Sequence, residues 1–90
     1  MLLSLNRIIY LKMNRYLFVT IDTEEDSWNS VGILDPSVRN IDSLIFFQKK
    51  CDRYGIIPTY LINYPVATNS SSRKVIELLL SQGNCEIGAH

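Results

Sequence analysis

Apolar and polar positions fall in blocks whose period changes along the chain. Residues 15–21 read RYLFVTI, a short run rich in β-branched and aromatic side chains that stops at a carboxylate, Asp22. A run apolar on both faces predicts a central parallel strand. The next stretch, TEEDSWNSVGILDPS, is polar, carries Gly32 and Pro36, and reads as a loop. Residues 40–54 then turn helical. Ile41, Leu44, Ile45, Phe47, Cys51 and Tyr54 form one stripe at spacings of three and four. Gly55 follows, placed to stop the helix in the left-handed region.

Residues 56–62, IIPTYLI, predict a second strand, with Pro58 confined to its start or to a bulge. Residues 63–72, NYPVATNSSS, read as a second loop whose serines offer caps for a helix over residues 73–81. Val75, Ile76, Leu79 and Leu80 supply that helix's stripe, and Gly83 closes it. Residues 85–88 predict a third short strand.

The order strand, helix, strand, helix, strand predicts an α/β fold with parallel strands and right-handed crossovers. All strands then point one way. Asp22, Asn63 and the segment near His90 meet at the carboxyl edge, where α/β sheets and barrels place their ligands. No regular repeat and no low-complexity segment interrupts the pattern.

Composition narrows the classes. Ninety residues allow one small domain. Hydrophobic residues at 47% and charged residues at 20% describe a globular chain rather than a disordered one. A net charge of +0 without a basic run argues against nucleic acid and against an anionic membrane surface as partners. Cys51 and Cys85 stand apart, without a second Cys or His at ligand spacing, and read as reduced core thiols. Residues 1–12 read as an amino-terminal extension, with Met13 a natural start and residues 13–90 the domain. The segment MLLSLNRIIYLKM is broken by Arg7 and Lys12 and lacks a cleavage site, so it makes a poor signal peptide and a poor membrane span. A cytoplasmic location is the default expectation.

The densest polar cluster is Asp22-Thr23-Glu24-Glu25-Asp26, four carboxylates in five residues. Such a cluster is either a solvated loop or a site where a cation relieves mutual repulsion. Its place after a first parallel strand favours the site. His90, the single histidine, carries little alone. On the same edge as the acids, it begins a zinc-type donor set.

Three segments in order, VTIDTEED, YGIIPTYLINYPVA and CEIGAH, resemble early motifs of the NodB-type polysaccharide deacetylases. The resemblance covers about residues 13–90, nearly the whole chain and less than half of that family's domain. It implies the amino-terminal β-α-β-α-β part of a (β/α) barrel, incomplete at His90. It also implies a divalent metal, zinc above all, and hydrolysis of N-acetyl groups on amino sugars. That is cleavage of a carbon–nitrogen bond other than a peptide bond, with an N-acetylated sugar polymer or oligomer as partner. No specific protein partner is implied.

Residue by residue, Asp22 matches the catalytic base and His90 the first metal histidine. Many members carry adjacent aspartates, but Thr23 follows Asp22 here. Branches that space the two acids by one residue make Glu24 the metal acid, with Glu25 and Asp26 as alternatives. Thr59-Tyr60 matches the Thr-aromatic pair of the second strand. Tyr64 is a candidate substrate contact. Trp28 reads as a packing aromatic, Glu86 as a structural residue turned away from the site, and Gly88 as room for close backbone approach. A second histidine and a general acid are expected downstream, so the chain itself is expected to be inactive and to associate through uncovered edges. Two rivals remain: a magnesium-dependent phosphohydrolase using Asp22 as nucleophile, and a non-enzymatic truncated product.

Overall fold

The structure is a computed structural model, and it describes residues 15–26 and 37–90. Trp28, Gly32, Pro36 and the extension at residues 1–12 lie outside the described residues. Three strands, β1 (Thr20–Thr23), β2 (Thr59–Ile62) and β3 (Glu86–Ala89), form one parallel sheet in the order β1-β2-β3. Between β1 and β2 lie a 3-10 helix (Arg39–Ser43) and α1 (Leu44–Arg53). Between β2 and β3 lie α2 (Tyr64–Thr68) and α3 (Ser70–Gln82). The α/β class and the parallel strands are as expected. No helix among the described residues is long and apolar enough to cross a membrane.

Side chains alternate across a strand, so the register decides which residues share a face. Thr20, Thr59 and Glu86 form one row, Ile21, Tyr60 and Ile87 the next, and Asp22, Leu61 and Gly88 a third. The rows of Ile21 and of Thr23, Ile62 and Ala89 face the helices. There Tyr60 is fully buried, and Ile21, Ile62 and Ile87 pack against a core of Val38, Ile41, Leu44, Val66, Ile76, Leu79 and Cys85. The rows of Thr20 and Asp22 face the other way. Burying an aliphatic or aromatic side chain of this size stabilises by about 1.5–3 kcal/mol. A cap contributes about 1 kcal/mol. Packing against the sheet therefore outweighs the caps in holding these short helices.

Several boundaries differ from those read in the sequence. β1 starts at Thr20 because Tyr16, Leu17 and Phe18 are all exposed and have no core to enter. The helix over residues 40–54 begins as a 3-10 turn, and its buried stripe is Ile41, Leu44, Gln48 and Cys51. Tyr54 lies on the exposed side, while Phe47, partly exposed, sets its ring edge-on to buried Tyr60 at 6.3 Å. Gln48 is admitted to the core because every polar atom there is matched: Tyr60 Oη donates to its Oε1 at 2.8 Å, and its Nε2 donates to Asp52 and to the Asn84 carbonyl. Gly55, at φ 67°, follows the helix as expected and lets the Ile56 N–H return to the Cys51 carbonyl at 2.9 Å.

The second loop is largely helical. Asn63 caps α2, with Pro65 in its first turn. Asn69, not a serine, caps α3, accepting from the Ser71 and Ser72 amides. Leu80 is exposed, so the buried stripe of α3 reduces to Ser72, Ile76 and Leu79. Pro58 sits just before β2, where its carbonyl accepts from the Glu86 N–H at 2.9 Å and no proline N–H is needed.

Candidate metal centre

The polar loop after β1 is built by strand alternation. Asp22 points to the face away from the helices, and Thr23, only 3% exposed, points into the core with its hydroxyl donating to the Ile21 carbonyl at 3.0 Å. Glu24, two residues on, returns to the face of Asp22. The ladder continues past the last paired row: Asn63 N–H donates to the Thr23 carbonyl at 3.3 Å, and His90 N–H donates to the Ile62 carbonyl at 2.9 Å. The same register carries Glu24, Asn63 and His90 to one level across the three strand ends.

His90 Nε2 lies 2.7 Å from Glu24 Oε1 and 3.7 Å from Asp22 Oδ2. The Glu24 side chain is 22% exposed, against 69% for Asp22. One ligand atom from each of Asp22, Glu24 and His90 lies within 4.8 Å of the others, so these residues form a group able to hold a metal ion. One imidazole nitrogen and two carboxylate oxygens fit zinc and related divalent ions. Asp22 and Glu24 of the acidic segment and His90 of the last segment, all read from the sequence, are thus brought together.

The remaining acids of the loop have other partners. Glu25 accepts from Asn63 Nδ2. Asp26 accepts from the Ser37 hydroxyl through Oδ2 and from the Asn40 N–H through Oδ1, the latter at 2.8 Å. The Asp26 N–H in turn donates to the Ser37 carbonyl at 2.8 Å. The Ser37 hydroxyl, then the Asn40 amide, hold the Asp26 carboxyl below the usual carboxylate range. Glu24 is therefore the acid that faces His90, while Glu25 and Asp26 tie the loop to neighbouring segments.

Tyr64 opens α2 with its ring exposed, along an open groove shared with Asn63, Ala67, Gly88, Ala89 and His90. Gly88 was expected to admit a neighbouring backbone; it admits a side chain instead, since a Cβ there would stand 2.9 Å from Leu61 Cδ2. Glu86 corrects its expectation. It lies on the face of His90, four rows below, where Thr59 Oγ1 donates to its Oε2 at 3.4 Å. Asn63 and Asn40 were not marked as site residues by the sequence. The Asn-Tyr-Pro signal of a capped helix start would have drawn attention to Asn63. Nothing local marks Asn40, whose contacts to the loop span at least 14 residues.

Cys51 and Cys85 are both free and buried, and burial raises both thiols above their ordinary range. No protein-family model, curated protein or solved structure gives a significant match to the chain.

Proposed function

We propose that this chain carries the metal-binding edge of a NodB-type polysaccharide deacetylase, a zinc-dependent hydrolase that removes N-acetyl groups from amino sugars. The convergence of Asp22, Glu24 and His90 at the carboxyl edge supports this reading. In it, the sheet is the first part of a (β/α) barrel, with the face of Asp22 turned to the barrel interior. Glu24 and His90 hold the ion. A bound divalent cation supplies Lewis-acid polarisation of an amide carbonyl and makes water more acidic, from a pKa of about 15.7 towards 7.

Asp22 acts as base. Its carboxylate is the more exposed of the two and stands farther from His90, leaving an oxygen to accept a proton from attacking water. The departing sugar amine takes up a proton from a separate general acid, giving acetate and a free amino sugar. Tyr64, which lines the same open groove as His90, offers a ring for a sugar face. The reading assigns no general acid to the described residues, so turnover by this chain is expected to be feeble. A cytoplasmic setting suits the free thiols of Cys51 and Cys85. The phosphohydrolase rival uses the same acids but has no role for His90.

Zinc titration and acetate release from an N-acetylated chitooligosaccharide test the reading. Wild type is expected to bind one zinc, and His90→Ala is expected to lose it. Any acetate release should require both zinc and Asp22, vanishing in Asp22→Asn. Absence of zinc binding, or magnesium-dependent release of phosphate from a model ester, would sink it.

A further inference from the structure

Glu24 lies one residue beyond β1, where the ladder thins to a 3.3 Å bond from the Asn63 N–H to the Thr23 carbonyl. Its carbonyl accepts a hydrogen bond from Asn40 Nδ2 at 2.8 Å. The backbone N–H of the same Asn40 donates to Asp26 Oδ1, also at 2.8 Å. Asn40 thus grips the acidic loop at two points. It is itself held by the core: it belongs to the 3-10 helix, and its neighbour Ile41 is 1% exposed, with the Ile41 N–H donating to the carbonyl of buried Val38 at 3.1 Å.

We propose that Asn40 is a positioning residue that fixes the backbone of Glu24 so that its carboxylate meets His90 and the ion. This rests on the metal-binding reading above. The chain of contacts runs from Ile41 in the core, through the Asn40 amide, to the Glu24 carbonyl, and from the Glu24 carboxylate to His90 Nε2. A ligand whose backbone is ordered during folding does not have to be ordered again when a cation binds. Outer partners that orient a metal ligand typically change metal affinity by about 10–100-fold when removed. Asn40 acts on the ligand's backbone rather than its carboxylate, so the lower end, about tenfold, is the expectation.

The test is zinc chloride titration of the 90-residue chain by calorimetry, with melting of the metal-free form followed in parallel. Asn40→Ala deletes the donor. Asn40→Asp keeps the size and the backbone contact to Asp26 but cannot donate to the Glu24 carbonyl. The added negative charge in Asn40→Asp would by itself favour a cation. A fall of about tenfold in both variants, with melting little changed, supports positioning. The effect should also disappear when Asn40→Ala is made in a Glu24→Gln background, because the two residues act as one unit.

Three results would overturn the proposal: undiminished affinity in both Asn40 variants, a rise in Asn40→Asp alone, or an affinity loss that merely follows a loss of stability. A wild-type chain that binds no zinc, or a Glu24→Gln chain that binds it equally well, overturns the metal-binding reading and the proposal with it. The first set of results leaves that reading standing.

Discussion

The imidazole Nε2 of His90 stands 2.7 Å from Oε1 of Glu24, although the two residues leave the sheet from its two outer strands with β2 between them. The shared level of the strand ends brings them together, and metal affinity should follow the pair. Glu24→Gln and His90→Ala are each expected to weaken zinc binding by more than the roughly 10–100-fold cost of an outer partner. Glu25→Gln should change it little, because Glu25 is turned to Asn63. Calorimetric titration checks all three variants, and a large loss in Glu25→Gln would refute the assignment of Glu24.

Asp26 gives the loop a pH dependence. Its carboxyl is held below the usual range by Ser37 and Asn40, so the folded state favours the ionised form. The clamp's contribution is present above the unfolded carboxyl's pKa and is lost as pH falls through the lower, folded value. Nuclear magnetic resonance of the Asn40 backbone amide should show a titration midpoint below that of an ordinary aspartate. A midpoint at or above it would contradict the clamp.

Tyr60→Phe is expected to destabilise the chain by about 1–3 kcal/mol, because Gln48 Oε1 then lies buried without its donor. Urea unfolding measures the loss. A neutral outcome would mean that water or a rotated amide replaces the phenol.

Cys51 and Cys85 are buried, with raised thiol pKa values, so both should resist alkylation by iodoacetamide near neutral pH and react freely in denaturant. Mass spectrometry distinguishes the two states. Rapid labelling of either cysteine without denaturant would place it outside the core.

β1 and β3 each have one side unpaired among the described residues, and Tyr16, Leu17 and Phe18 are exposed beside β1. Such edges favour pairing with another chain. Light scattering at rising concentration is expected to show species larger than the 10.3 kDa monomer. A monodisperse monomer throughout would show that the edges are covered.

The strands and the edge they share were legible because Asn63 and His90 each end an apolar run at that edge; Asp22 also ends one, but β1 runs on to Thr23 and leaves it two rows short. Their convergence followed from parallel order alone. Gln48 was not legible, since its core place depends on Tyr60 and Asn84, distant in sequence. The five-residue α2 is too short to show a period, and it rests on Asn63 and Pro65 rather than on a stripe. Composition could not separate Glu24 from Glu25 and Asp26. Partners at residues 37–40, 63 and 90 decide among them. Glu86 shows the opposite lapse, because counting by twos from His90 already puts it on the same face.

Thr23 divides the loop's chemistry between two solvents. Its flanking acids answer to water and to whatever ion it carries, whereas Thr23 answers to the aliphatic interior. A carboxylate at this position would have to shed its hydration among Ile21, Tyr60 and Ile62, or take up a proton. A charged acid next to Asp22 is therefore costly in this strand and register. The second acid has to come from the loop, one residue later, and that makes its placement depend on contacts outside the sheet.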